Sequence, residues 1–533
     1  MGNSFKYPFL FIALTAGIVL GIQIEKIFSG DNLRDGIRKF NDVLTYTEKF
    51  YVEEVDTPKL VEEAIKGLLD QLDPHSVYIP PKQFDSIEES FRGDFEGIGI
   101  EFQVVNDTLT VVSPITGGPS EALGIMSGDR IVKIEGEDCI GITNDEVREK
   151  LRGKAGTKVI VTIIRHGIDE GIEYKITRDK IPIYSVDTHF MYDDKIGYVS
   201  VSRFSETTYD ELNDALNDLN TTGMKKLILD LRGNPGGYLN QAVKIADLFI
   251  NGDKKIVYTR GRRSEFDEDY FAKRSSAYED IPLIVLINQG SASASEIVSG
   301  AVQDWDRGLI VGETSFGKGL VQRQFPLFDN SALRLTISKY YTPSGRSIQR
   351  GYENKKDYYS ELGDRNEEEG DNLKHTAEQD SSRPEFKTSG GRTVYGGGGI
   401  TPDYITKSGK LTNYTRDLLR SNLFYQFILK YLDKNGDSLK SKYKDDLEKF
   451  IREFSFNPEE EKSFIRFAMD KNVELVEEEF NKDKVYIFTR LKAQVARNYW
   501  KNEGWYTVLL DIDIQFLKSV TLFDEAEDLA KLK

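Results

Sequence analysis

The chain has 533 residues, enough at roughly 150 residues per domain for three or four domains. Its 88 acidic against 71 basic side chains leave a formal net charge of -17, which works against a phosphate backbone and sets nucleic acid aside as a main partner. A single cysteine, Cys139, excludes an intramolecular disulfide and a cysteine zinc cluster, and four histidines without an HExxH leave no histidine-rich metal site; no metal or organic cofactor is expected.

Residues 7–24, YPFLFIALTAGIVLGIQI, are an uncharged run behind Lys6. As a helix the run would be roughly 27 Å long, close to a hydrocarbon core of about 30 Å. No A-x-A site follows and no early cysteine offers a lipid anchor. Segment 1–30 is therefore read as a membrane anchor or signal segment, with the uncleaved anchor favoured. Lys6 on the short side places the acidic body outside the cytoplasm, on the periplasmic side of the cell envelope. Residues 31–92 read as a helical region, with Phe40, Val43 and Leu44 on one stripe and Leu60, Ala64, Leu68 and Leu69 on another.

Across 93–180 short alternating strands take over (GIGIEFQVV, TLTVVSPI, DRIVKI, TKVIVTIIR), with helical stretches at 120–123 and 144–151. From 181 onward apolar strands alternate with helices: IGYVSVS, a helix near 209–219, KKLILDL, a helix over 239–250, PLIVLIN, a further helix and GLIVG. That alternation predicts an α/β core with a buried sheet over 181–350, resuming at 391–410. Between them, 351–390 carries eleven acidic and six basic side chains and reads as a solvated insertion or flexible loop. Residues 411–533 read as a helical domain. Phe424, Phe427, Ile428, Tyr431 and Leu432 make a stripe that stops at Asn435-Gly436. A later helix opens on Asn457-Pro458-Glu459, with Phe464, Ile465, Phe467 and Ala468 facing inward.

Three loops of the core follow apolar strands, the position where open sheets place their sites. In DLRGNPGG (230–237) the glycines can turn backbone N–H groups toward an oxyanion, or can simply make a tight turn. In GSASASEI (290–297) a serine at a helix start is either a nucleophile with a free N–H behind it or an ordinary N-cap. The third, GETSFGKGLVQ (312–322), nearly spells a phosphate-binding loop, but Gly319 stands where a hydroxyl should ligate Mg²⁺ and the alternating residues after it are strand-like, which counts against a nucleotide site. No GxSxG is present and no histidine is close in sequence. A lysine buried among apolar neighbours can act as a neutral base, and Lys318, beside Phe316, Leu320 and Val321, suits that role.

Together, LDPHSVYI (72–79), GIGI (97–100), DLRGNPGG, SASASEI (291–297), TSFGKGLVQ (314–322), YYTPSGRSI (340–348) and GGGGITPD (396–403) resemble the carboxyl-terminal processing, tail-specific serine peptidases in order and spacing. The likeness covers about 35–410. It implies a crotonase-like (ClpP/crotonase) α/β peptidase core with Ser293 as nucleophile, Lys318 as base and Gln322 orienting the amine. Gly236 or Gly237 with Ala294 would form the oxyanion hole, and Glu296 is a candidate support. The β-module resembles a PDZ domain, which implies that Gly97, Ile98, Gly99 and Ile100 receive the C-terminal tail of a protein substrate. The function so implied is an envelope endopeptidase that captures protein tails and cuts upstream. The alternative is a non-catalytic PDZ scaffold or adaptor. The C-terminal helices are expected to serve self-association or adaptor docking.

Overall fold

The computed structural model describes residues 31–168, 170–353, 355, 358, 369–373, 375, 383–443 and 446–531. The apolar run 7–24 lies outside these residues; among them no helix is long and apolar enough to cross a membrane. The chain divides into two units, Met1–Ile79 and Pro80–Lys533. In the first, helices Asp31–Phe50 and Thr57–Leu69 precede strand Val77–Ile79. Asp56 caps the second helix by accepting from the Lys59 amide at 3.1 Å, and Asp73 folds the following turn by accepting from the Ser76 hydroxyl at 2.6 Å.

The second unit is built on a sheet of seven strands among the described residues, in the order Val186–Met191, Ile196–Val201, Lys226–Asp230, Leu283–Ile287, Leu309–Gly312, Tyr404–Ile405 and Gly370–Asp371. The five central strands run parallel and the two edge strands antiparallel. Because side chains alternate along a strand, Val199, Leu229, Val285 and Ile310 meet the helices Thr208–Thr222, Leu239–Asp247 and Ala294–Asp304 on one face. On the other, Tyr198, Ile228, Ile284, Leu286 and Val311 meet Leu510, Phe516, Leu522, Phe523 and Ala526. A second sheet pairs Leu320–Pro326, Ala332–Tyr341, Lys255–Gly261 and Glu268–Phe271 antiparallel in that order.

The α/β core and the β-module are as the sequence predicts, and two details differ. The helix opening at Leu423 does not stop at Asn435-Gly436 but runs to Tyr443. At Gly436 the Tyr499 hydroxyl donates to the carbonyl at 2.9 Å, so the helix carries a tertiary contact where a stop is expected. The span 351–390 is not a loop throughout: Gly370–Asp371 adds to the main sheet and Glu385–Lys387 pairs with Thr393–Tyr395, while 359–368 and 376–382 lie outside the described residues. The apolar stripes at Phe424 and Phe464 pack inside the chain as expected, and helices Ile514–Val520 and Phe523–Leu529 lie on the underside of the main sheet.

That underside sets a stability test. Phe516 is fully buried against Tyr192 and Tyr198, with ring centroids 4.7 and 5.6 Å away, so Phe516→Ala should lower the unfolding free energy by about 3–5 kcal/mol in a denaturant titration. A second test concerns acid. Asp403 is fully buried and accepts from the Ile310 amide at 2.8 Å and Arg392 at 2.6 Å. Burial pushes its carboxyl up, but Arg392 and His375 outweigh it and hold it well below the usual carboxylate range. A depressed carboxyl stabilises the fold above its unfolded pKa, and that stabilisation is lost as pH falls through the folded one. Asp403→Asn should therefore be less stable than the native chain at neutral pH and lose less of its stability on acidification, read as melting temperature against pH.

Candidate active site

Strands Lys226–Asp230, Leu283–Ile287 and Leu309–Gly312 are adjacent and parallel, so the three loops singled out by sequence leave the same edge of the sheet. Hydrogen bonds then stitch them together. The Ser291 hydroxyl donates to Leu231 O at 2.8 Å, the Ser295 hydroxyl to Asn234 O at 2.9 Å and the Ala292 amide to Asn234 O at 3.0 Å. The Phe316 amide donates to Ser291 O at 2.8 Å.

One side chain joins the serine loop to the lysine loop more tightly than any of these. Glu296 is fully buried in the first turn of helix Ala294–Asp304. Its Oε1 accepts from the Ser315 hydroxyl at 2.5 Å and the Gly317 amide at 2.7 Å; its Oε2 accepts from the Ser293 amide at 2.8 Å and the Lys318 amide at 2.9 Å. Burial pushes the carboxyl up from its ordinary value, against the donors that favour the anion. From the other side the buried Tyr340 hydroxyl is shared between Lys318 O at 2.7 Å and Ser293 O at 3.1 Å. The backbones of Ser293 and Lys318 are thus bridged twice, and both side chains are half-buried.

Ser293 has φ 56 and ψ -110. An N-cap ordinarily lies in the β region, and a left-handed serine is strained. The capping-box half that does hold is the return reach of Glu296, three residues on, to the Ser293 amide. The serine is therefore posed by its helix, and the posing is what distinguishes it from an ordinary cap. Histidines are engaged elsewhere: His166, His189 and His375 face Asp433, Asp218 and Asp403 at 3.6, 3.2 and 3.7 Å.

The oxyanion candidates separate. The Gly236 amide donates to Asn234 Oδ1 at 2.9 Å and is occupied, which removes it from the pair expected from sequence. Among the described residues the amides of Gly237 and Ala294 have no acceptor. Gly236 keeps a different duty: at φ +94, a Cβ on it would lie 2.8 Å from both Ala294 N and Ser293 Cβ, so only glycine leaves the space beside the serine open. Gln322 lies on strand Leu320–Pro326, where its amide reaches Thr336 Oγ1 at 3.4 Å, a long hydrogen bond. In the β-module, Ile98 and Ile100 are buried in its apolar cluster with Val147 and Leu151, and Ile98 O accepts from the Ser120 hydroxyl at 2.5 Å. The amides of Ile98 and Gly99 have no acceptor among the described residues, the state a carboxylate-receiving loop requires. Tyr340 was visible in sequence only as part of YYTPSGRSI; its role depends on a contact between strands distant in sequence.

Comparison with known proteins gives the following. Residues 195–358 match the family model described as peptidase family S41, 110–165 that of a PDZ domain, 23–82 that of the activating protease CtpB N-terminal domain, and 414–501 a family of unknown function. A carboxy-terminal-processing protease of Bartonella bacilliformis is 41% identical over 342 residues, 63% of this chain and 78% of the relative. The carboxy-terminal processing protease CtpA of Bacillus subtilis is 37% identical over 326 residues, 60% of this chain and 68% of the relative. A solved photosystem II D1 C-terminal processing protease shares 30% identity at a TM-score of 0.34, over 58% of this chain and 83% of its own.

The Glu296 bridge is testable apart from the chemistry. Glu296→Gln keeps the volume but turns an amide against N–H donors, which should misplace the serine and lysine loops and lower kcat by about 10²-fold. The same change should cost about 1–3 kcal/mol in a denaturant titration, because a buried donor loses its partner.

Proposed function

The chain belongs to peptidase family S41, and on that premise we propose that Ser293 is the nucleophile and Lys318 the general base of its serine peptidase activity. The observation that carries the assignment is the double bridge by Glu296 and Tyr340, which holds the two backbones a few ångström apart around a strained serine. The neutral Lys318 amine takes the Ser293 Oγ proton as Oγ attacks the scissile carbonyl carbon. The Gly237 and Ala294 amides receive the oxyanion. The protonated lysine then gives its proton to the leaving amine, and a water activated by the same lysine releases the acyl group. Gln322 orients the amine in this reading.

The PDZ domain supplies recognition. The open amides of Ile98 and Gly99 donate to the terminal carboxylate of a protein tail, and the tail adds along strand Ile100–Val105, an edge strand of the module's sheet. Membership of a peptidase family, together with relatives named as proteases, favours the enzyme over the scaffold alternative. The apolar run 7–24 supports a location on the outer side of a membrane, with extracytoplasmic proteins as substrates.

Ser293→Ala and Lys318→Ala should each abolish cleavage of a protein bearing an apolar C-terminal tail, by about 10³-fold or more, with tail-peptide binding retained. Since the base must be neutral, native turnover should rise with pH along one ionisation, and Lys318→Arg, whose side chain stays charged, should be inactive throughout. Normal turnover in Lys318→Ala would show that another group is the base.

A further inference from the structure

The residues that match a family of unknown function, 414–501, lie within a helical stretch that has its own apolar cluster around Phe424, Phe427, Phe464, Ile487 and Leu491. Its polar skin is pressed against the PDZ domain. In that domain Leu109, Val111 and Ile131 point to the module's core. Thr110 and Val112, on the opposite face of the same strand, are nonetheless buried, at 2% and 5% exposure. The long helix Glu477–Leu510 packs on that strand.

Hydrogen bonds and ion pairs cross the seam, and on the long helix the cations face acids of the PDZ domain. Arg497 grips both Glu101 oxygens at 2.9 and 3.0 Å, and Lys501 reaches Glu121 at 2.7 Å and Thr116 Oγ1 at 2.8 Å. Asp433 pairs with Arg130 at 2.9 Å, Lys471 reaches Asn106 at 2.8 Å and Asn422 reaches Gln103 at 2.5 Å. The helix breaks at Trp500–Lys501, where Lys501 has φ 53 and ψ -140. A lysine persists in that region only when its surroundings hold it there. Beyond the break, Asn502 and Tyr506 donate to Asp187 of the core at 3.0 and 3.1 Å. The kink is therefore pinned to the PDZ domain on one side and to the core on the other. Glu121 belongs to the turn Pro119–Ala122 whose Ser120 supports Ile98 of the carboxylate loop. After the helix, Asp513 pairs with Arg232 of the glycine loop at 2.8 Å.

We propose that the helical segment 413–509 is a charge-held brace that seats the PDZ domain on the peptidase core and so directs a captured tail to the catalytic loops. This rests on the tail-capture reading above. The ion pairs of the seat are part-exposed, so each is weak and screened by salt. The seat therefore yields to ionic strength before the catalytic loops do.

The test uses the full chain and three substrates: a protein with an apolar C-terminal tail, the same protein without it, and a short fluorogenic peptide. The reading is the ratio of kcat/KM for the tailed over the untailed protein. Arg497→Glu with Lys501→Glu should lower that ratio about tenfold, as the tethered encounter is lost, and leave turnover of the short peptide unchanged. Asp433→Arg alone and Arg130→Asp alone should each lower it by less, and the two combined should restore it. Raising salt from about 0.1 M to about 1 M should lower the native ratio as well. An unchanged ratio in Arg497→Glu with Lys501→Glu overturns the brace. So does a fall in Asp433→Arg that adding Arg130→Asp fails to reverse, or a fall in Arg497→Glu with Lys501→Glu matched by loss of short-peptide turnover. A native chain that cleaves the short peptide yet shows no tail preference refutes tail capture itself, before any variant is made.

Discussion

The site depends on one carboxylate that has left water. Burying Glu296 costs several kcal/mol unless its oxygens are satisfied, and four donors from two loops satisfy them. The arrangement is reciprocal. Glu296 stays inside because Ser293, Ser315, Gly317 and Lys318 turn their donors toward it, and those residues keep their positions because releasing any one would strand a buried acceptor. The serine loop and the lysine loop can therefore move only together. The left-handed backbone of Ser293 survives for the same reason: its amide is held by Glu296 and its carbonyl by Tyr340.

Rigidity at that edge needs a sheet that does not flex, and the chain supplies it from its far end. The face opposite the serine helix is closed by helices Ile514–Val520 and Phe523–Leu529. At the start of the first of them, Asp513 and Gln515 take the Arg232 guanidinium that Asp230 also holds, so the glycine loop is anchored from below. The last helices are thus part of the peptidase core in energetic terms, although they follow it by a hundred residues in sequence and lie outside the S41 match.

This explains what could and could not be read from the sequence. The three loops were legible because each combines an apolar strand with glycine or serine at its end, and parallel strands bring such ends together whatever the details. The PDZ domain was legible from alternation and turn glycines. Tyr340 and the four-donor role of Glu296 were not, because a hydroxyl or carboxylate declares its partners only once strands distant in sequence are adjacent. The 3.6-residue stripe from Phe424 onward shows that a face is buried but not what buries it; in the fold Phe464, Ile487 and Leu491 share its cluster. Asn435-Gly436 carries the usual signature of a helix end, and a tertiary contact from Tyr499 overrode it. Gly236 and Gly237 look equivalent in sequence; only Asn234, curling back to take the first amide, tells them apart.

Ser293 and Lys501 are both non-glycine residues held at positive φ, and the contrast between their surroundings shows how the molecule distributes stiffness. Ser293 is held by buried partners, where a lost hydrogen bond finds no water to replace it. Lys501 is held by an ion pair whose members are 50% and 35% exposed, where water and salt replace a lost partner readily. The same backbone strain is therefore locked at the candidate nucleophile and releasable at Lys501. Such grading fits an enzyme that must keep its reacting atoms in register while admitting protein chains of differing bulk between the point of capture and the point of cleavage. A uniformly rigid chain would exclude those substrates, and a uniformly loose one would lose the serine's pose.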